Sequence, residues 1–158
     1  MKKILLFTDG SVNTKTNIGC GAYFYVEENN YKIEEITVVV KRFKETSSTK
    51  LELQTLLWAL QEVKNVDCKI VVYTDSQNII GLPDRRKRLE INNYHSKNNK
   101  LLKNHELYRE FYQVTTSLNC EFLKIQGHLV SNQKNELDKL FTLVDRASRK
   151  ALRERKDE

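Results

Sequence analysis

Long apolar runs are absent from this sequence of 158 residues. A membrane-spanning helix needs roughly 18 consecutive apolar residues, and no stretch approaches that length. The opening residues MKKILLF form too short an apolar run for a secretory leader and continue directly into Asp9. These absences predict a soluble, cytoplasmic protein with no membrane partner.

Cysteine is scarce, and its spacing excludes two classes of small-protein staple. Cys20, Cys68 and Cys120 are odd in number and far apart, and no CxxC pair occurs. This pattern argues against a disulfide framework and against a zinc site, so we expect reduced, partly buried thiols. The sequence also lacks repeats and linkers, and its length predicts one domain over residues 1–158, expected to be a monomer.

Positive charge is in excess, with 27 Lys and Arg against 21 Asp and Glu. Such an excess favours a polyanionic partner, nucleic acid first, although a Lys-rich solvated surface explains charge alone at least as well. Residues 84–103 have little apolar face and predict a basic protrusion, either a loop or a helix-turn unit. Its basic residues are Arg85, Arg86, Lys87, Arg88, Lys97, Lys100 and Lys103.

Apolar periodicity alternates between strand and helix patterns, which predicts an α/β fold. The first three predicted strands form an antiparallel meander. A helix then leads to a further strand. The order strand, helix, strand implies a right-handed crossover, so this strand should lie parallel to the first and close to it. Thr49 and Glu52 have the spacing of a capping box, and Pro83, the only proline, is expected to end a helix. The predicted strands are 4–8, 23–26, 36–40, 70–74 and 121–125, and the predicted helices are 50–63, 77–82, 104–117 and 135–155.

Two of the predicted strands end in Thr-Asp, at Asp9 and at Asp75, and Glu52 opens the helix between them. If the strands are neighbours, three carboxylates meet at one sheet edge and repel one another strongly. A fold would gather them only around a cation, and oxygen ligands suit Mg²⁺ or Mn²⁺. Two such ions about 4 Å apart can hydrolyse a phosphodiester. Taken singly, Asp9 is more simply a turn residue, Glu52 a first-turn acid and Asp75 a helix cap.

In this order, the motifs resemble those of ribonuclease H of type 1. They are Asp9-Gly10-Ser11 after a strand, Thr49 to Leu53 opening a helix, Thr74 to Gln77 after a strand, and Gly127-His128 after the last strand. The resemblance spans nearly the whole chain and implies an RNase H-like fold with a five-stranded mixed sheet flanked by helices. It implies an endonuclease that hydrolyses the RNA strand of RNA–DNA hybrids with two Mg²⁺ ions, leaving 3′-hydroxyl and 5′-phosphate ends.

By this resemblance, Asp9, Glu52 and Asp75 are catalytic metal ligands, and His128 assists proton transfer or product release. On the hybrid, the resemblance and the basic stretch suggest contacts from a further set of residues. These are Gly10, Ser11, Asn13, Ser48, Thr49, Gln77, Arg85, Arg86, Lys87 and Arg88.

The fourth carboxylate departs from the family pattern and leaves two alternatives. Asp138 has the usual distance from His128, whereas Asp145 is followed by the expected small residue and arginine. Seven residues at 1.5 Å rise separate the two by roughly 10 Å, so one alone can reach the metals. We favour Asp145, because Phe141 after Asp138 suits a core better than a site.

Two alternative functions stay open at this point. One is a nuclease of the same superfamily that acts on DNA. The other is a non-catalytic module that binds hybrid or RNA, although the presence of all three acidic motifs disfavours it.

Overall fold

A five-stranded mixed sheet organises the protein. The structure, a computed structural model, describes residues 2–63, 67–126 and 135–154. The strand order is β3-β2-β1-β4-β5, antiparallel from β3 to β1 and parallel from β1 to β5, which confirms the predicted sheet. The strands are β1 (Lys2–Asn13), β2 (Ile18–Glu27), β3 (Val39–Phe43), β4 (Cys68–Thr74) and β5 (Asn119–Lys124). The helices are α1 (Ser48–Val63), α2 (Gln77–Ile91), α3 (His105–Thr116) and α4 (Glu136–Glu154).

The central strands are buried on both faces, because successive side chains point to opposite sides of a sheet. Leu6 and Val72 belong to the core beneath α1, α2 and α3, whereas Leu5 and Val71 belong to the core beneath α4. Phe7 lies in the α4-side core with no exposed surface. Two apolar cores therefore hold β1 and β4 rigidly, and with them whatever side chains follow at their ends.

Strand β1 is longer than predicted, and this changes the setting of Asp9. Its parallel pairing with β4 ends at Phe7, but its antiparallel pairing with β2 continues to Asn13. Asp9 therefore lies within a strand, just past the point where β1 and β4 separate, and not in a turn. Gly10, the residue after Asp9, allows α1 to pack close to the sheet, since a Cβ at this position would come within 2.8 Å of Leu51 Cδ2.

Pro83 does not end the second helix, contrary to the prediction. Helix α2 runs through it to Ile91, although proline removes one helical hydrogen bond and crowds the preceding turn. Leu82 and Leu89 are buried, and the Tyr112 hydroxyl donates a 2.6 Å hydrogen bond to the Leu82 carbonyl. Tertiary packing thus outweighs the local preference of proline.

The stretch 84–103 is a helix followed by a turn. Its first part completes α2, and the chain then returns through Asn93 and Tyr94, both with positive φ. Tyr94 is buried, and its carbonyl accepts a 2.8 Å hydrogen bond from the Leu102 amide. The helix-turn alternative is the one observed, and the turn is anchored to the body of the protein.

Several further boundaries differ from the predictions, among them the start of β2, which lies at Ile18. Residues 36–38 precede β3, because Ile36 and Val38 pack against the α4-side core and pairing with β2 begins only at Val39. Ser47, and not Thr49, caps α1 by accepting a 3.3 Å hydrogen bond from the Lys50 amide.

Among the described residues, no helix is long and apolar enough to cross a membrane. The three cysteines, all in the described part of the chain, are not in disulfides.

Candidate active site

Three of the predicted acidic residues share one narrow crevice. Asp9, Glu52 and Asp75 line it together with Thr8, Gly10, Thr55, Thr74 and Ile79. Phe7 pairs with Tyr73, so the same register continued by two residues puts Asp9 level with Asp75. Glu52 comes from the first turns of α1, which crosses the sheet at this edge. The crossover from β1 through α1 to β4 thus brings the three acids together.

Asp9 is the most strongly perturbed of these acids. Burial, followed by the charges of Asp75 and Asp145, raises its pKa from 3.8 to about 8, although a hydrogen bond from the Gly10 amide opposes the rise. Its side chain is also hydrogen-bonded to that of Asp145. A hydrogen bond between two carboxyl groups requires a proton on one of them. Asp9 therefore stands where negative charge is least tolerated without a cation.

Glu52 is held by Ser76, one of the two hydroxyl residues that flank Asp75. Burial raises the pKa of Glu52, a hydrogen bond with Ser76 lowers it, and the charge of Asp75 raises it. The Ser76 hydroxyl also caps α2 by accepting a 3.2 Å hydrogen bond from the Ile79 amide. Thr74 Oγ1 in turn accepts one from the Ser76 amide at 3.1 Å. Ser76, and not Asp75, is thus the helix cap, a role that its place before α2 predicts.

Asp145 and Asp138 have different surroundings on the same helix. Asp145 faces Asp9, and its Oδ1 forms a 3.0 Å ion pair with Arg149 Nε. Asp138 instead forms a reciprocal cap with Asn135 at the start of α4, with hydrogen bonds of 2.9 and 3.1 Å. The structure therefore brings Asp145 to the crevice acids and occupies Asp138 elsewhere.

A pair of serines fixes the approach of α4 to β1. Ser148 is fully buried, lies one turn after Asp145 and donates to the Asp145 carbonyl at 3.1 Å. The Ser11 hydroxyl lies 3.2 Å from that of Ser148. Ser11, predicted to contact the hybrid, is thus placed against α4. Ser148 was missed, because a small residue in the pattern of an apolar helix face gives no separate indication.

The other predicted substrate residues are scattered around this edge. Gln77 Oε1 accepts a 2.9 Å hydrogen bond from Lys124 Nζ, and Asn13 Oδ1 accepts one from the Lys15 amide at 2.9 Å. Ser48 and Thr49 form the first turn of α1. Gly127-His128 lies outside the described residues.

Of the four consecutive basic residues, two are engaged with α3. Arg85 donates to Asn78 at 2.9 Å and lies over the Tyr108 ring. Arg86 pairs with Glu90 at 3.0 Å and also donates to Thr116 at 3.0 Å. Lys87 and Arg88 are exposed. Only the latter pair presents its charge mainly to solvent.

A second cleft, of about 280 Å³, opens beside the amino-terminal end of α1. The first turns of α1 and of α3 both border it, and helix amino termini attract anions. Two lysines add positive charge. Its lining residues are Asn17, Glu45, Thr46, Ser47, Lys50, Lys103 and Asn104. This cleft was not predicted, because it is formed by segments about fifty residues apart in sequence.

The chain is similar to known ribonucleases H along most of its length. The sequence model of RNase H matches residues 1–150. A ribonuclease H of Caldicellulosiruptor saccharolyticus is 27% identical over 145 residues, covering 89% of this chain and 94% of that protein. Ribonuclease HI of Helicobacter pylori is 29% identical over 143 residues, covering 90% and 93%.

Solved structures show the same fold. The RNase H domain of prototype foamy virus superposes with a TM-score of 0.76 at 14% identity, covering 94% of this chain and 93% of that one. The RNase H1 called LC11, solved in complex with an RNA/DNA hybrid, gives a TM-score of 0.61 at 19% identity, covering 94% and 99%. Identities this low speak for the fold alone.

The relatives that this chain matches along most of its length are ribonucleases H, which are nucleases of the hydrolase class. The chain belongs to the RNase H family. Its predicted family and enzyme class are thereby confirmed.

The RNase H family uses divalent metal ions, and the residues at the crevice fit that requirement. All four acids that meet there supply oxygen ligands, which hard cations prefer. In the described part of the chain, no three acidic, His or Cys side chains already stand in a metal-holding arrangement.

Proposed function

We propose that this protein is an endonuclease that hydrolyses the RNA strand of RNA–DNA hybrids with two divalent ions, Mg²⁺ or Mn²⁺. The products would carry 3′-hydroxyl and 5′-phosphate ends. The observation that carries the proposal is the meeting of Asp9, Glu52 and Asp75 in one crevice, with Asp145 hydrogen-bonded to Asp9. Family membership supplies the reaction class.

In this proposal Asp9, Glu52, Asp75 and Asp145 would together hold the two ions. Bound ions of this kind activate a water molecule and stabilise the leaving oxygen of a phosphodiester. The chain's own contribution is orientation. Ser76 holds Glu52 and caps α2 at once, while Arg149 turns the Asp145 carboxylate. His128 is assigned proton transfer or product release by family resemblance.

Substrate binding is proposed along the edge that contains both the crevice and the second cleft. The LC11 enzyme and a foamy viral protease-reverse transcriptase, both of this fold, were solved with RNA/DNA hybrid. A phosphate of one strand would bind at the Ser47 and Asn104 helix ends while the other strand lies at the carboxylates. Ser48 and Thr49 at the same helix end are placed to reach 2′-hydroxyls.

The proposal is tested by incubating the purified chain with Mg²⁺ and labelled duplexes of equal sequence: RNA–DNA, RNA–RNA and DNA–DNA. We expect cleavage of the RNA strand in the hybrid alone, with loss of activity in EDTA. Cleavage of the DNA duplex would favour the DNA-directed alternative. Hybrid binding without cleavage, unaffected by Mg²⁺ or by Asp75→Asn, would instead indicate a non-catalytic module. The monomeric state and the cytoplasmic location stay predictions.

A further inference from the structure

Thr55 contributes to the crevice a polar group that the carboxylate chemistry does not explain. It follows Glu52 by one turn of α1 and lines the crevice with Asp9 and Asp75. The residue is 1% exposed, and its hydroxyl has no hydrogen-bond partner among the described residues. An unpaired buried hydroxyl costs about 1–3 kcal/mol, and native proteins pair nearly all such groups with protein or ordered water.

Contact with Gly21 fixes where this hydroxyl lies. Thr55 Oγ1 packs so closely on β2 that a Cβ at Gly21 would overlap it. Gly21 pairs with Gly10, the residue after Asp9. The Thr55 side chain is therefore pressed onto the sheet directly beside the Asp9 strand, and the crevice is the polar space next to it.

The crevice has the size of a single-water site. The space open to the centre of a water-sized sphere is about 10 Å³. A buried water needs roughly 10–15 Å³ by that measure, together with two to four polar partners. The walls supply the Thr55 hydroxyl and the carboxylates of Asp9, Glu52 and Asp75. A water there would satisfy the orphaned hydroxyl and connect it to the acids.

We propose that Thr55 is a positioning residue whose hydroxyl, through one buried water molecule, orients the Asp9 and Glu52 carboxylates for divalent-ion binding. This inference rests on the proposed function, since it concerns the metal ligands of that site. Thr55 itself touches neither ion nor substrate. Removing a hydrogen-bond partner of metal ligands typically weakens metal binding by about 10–100-fold.

Two substitutions separate this role from simple packing. Thr55→Val keeps the shape and removes the hydroxyl, whereas Thr55→Ser keeps the hydroxyl and removes the methyl group. The full-length variants are titrated with Mg²⁺, and separately with Mn²⁺, by calorimetry without nucleic acid. We expect about 10-fold weaker binding for Thr55→Val and binding within about 2-fold of wild type for Thr55→Ser. Thermal unfolding without metal should show Thr55→Val at least as stable as wild type.

Equal metal binding by wild type and Thr55→Val would overturn the inference, as would weaker binding by Thr55→Ser than by Thr55→Val. A crystal structure without a water within hydrogen-bonding distance of Thr55 Oγ1 would also overturn it. Failure of the proposed function looks different. In that case the wild type does not cleave the hybrid, whichever way the calorimetry ranks the two variants.

Discussion

Charged side chains are arranged differently in the crevice and on the face between α2 and α3. At the crevice, acids from four segments of the chain meet, and burial together with the neighbouring carboxylates raises the pKa of Asp9 to about 8. On the α2–α3 face, formed by Arg85, Arg86 and the α3 residues they contact, each guanidinium lies over a tyrosine ring and has a hydrogen-bond acceptor. Clustered like charges are typical of a functional site, whereas charges that are each paired with a neighbour are typical of structural contacts.

Removing one charge from the crevice and one from the α2–α3 face should produce the largest difference in activity and stability. Asp9→Asn should lower hybrid cleavage by at least about 10³-fold, because a metal ligand is lost. It should also raise the thermal stability of the metal-free protein, because it relieves the repulsion among the crevice acids. Arg86→Ala should do the reverse, keeping cleavage within a few fold and lowering stability by about 0.5–1 kcal/mol. Initial rates and urea unfolding measure both. A fully active Asp9→Asn would remove the crevice from the mechanism.

The two aspartates of α4 offer a matched pair on one helix. Asp145→Asn should lower cleavage by about 10²-fold with little loss of stability, because it removes an acid next to Asp9. Asp138→Asn should leave the rate near wild type and lower stability by about 0.5–1 kcal/mol through the weakened cap. Cleavage rates and thermal unfolding of both variants decide the matter. The opposite ranking of rates would make Asp138 the fourth ligand.

The raised pKa of Asp9 predicts how stability depends on pH in the absence of metal. Its folded-state pKa of about 8 lies above the ordinary 3.8, so the protonated form favours the folded state. The stabilisation is complete below pH 4 and declines as the pH rises toward 8, with a slope of at most about 1.4 kcal/mol per pH unit. Urea unfolding of wild type and Asp9→Asn between pH 5 and 9, in EDTA, measures the difference. A wild-type slope equal to that of Asp9→Asn would contradict the assignment.

The smallest expected effect concerns the solvent-exposed cations next to the α2–α3 face. If Lys87 and Arg88 contact phosphates, the double variant Lys87→Ala/Arg88→Ala should reduce the salt slope of hybrid binding by about 1–2. Arg85→Ala is the control, because Arg85 is engaged with Asn78 and Tyr108 and its loss should leave the slope within about 0.5. Fluorescence anisotropy between 50 and 200 mM salt checks this. Equal slopes in all three proteins would show that the basic stretch is a solvated surface.

The sequence was most informative where local pattern and burial agree. The alternation around Leu5 and Leu6, and again around Val71 and Val72, identifies central strands, and the helix between them requires a parallel crossover. Neighbouring parallel strands end at the same edge of the sheet, so the sequence could predict that Asp9, Glu52 and Asp75 meet there. Family order of motifs added the enzyme class.

Other features depended on contacts that sequence does not display. Helix α2 continues through Pro83, and Tyr112, thirty residues later, donates to the Leu82 carbonyl, a contact that the local sequence does not indicate. The choice between Asp138 and Asp145 depended on Asn135, whose amide and side chain engage Asp138. Thr55 looked like an ordinary residue of the helix, since its partner surface is a glycine on another strand. Tyr112 and Gly21 are distant in sequence from the residues they contact, whereas Asn135 lies three residues before Asp138 and its cap is a local pattern.

The origin of the crevice acids has a consequence for how activity arises during biosynthesis. They come from positions 9, 52, 75 and 145, and the last lies on α4, which docks on β1 through Ser11 and Ser148. Contacts of such large sequence separation form only after most of the chain has collapsed. A nascent or partly folded chain therefore holds an incomplete ligand set. Under the proposed function, a chain in which α4 has not docked on β1 lacks Asp145 at the crevice and is expected to cleave RNA more slowly than the folded protein.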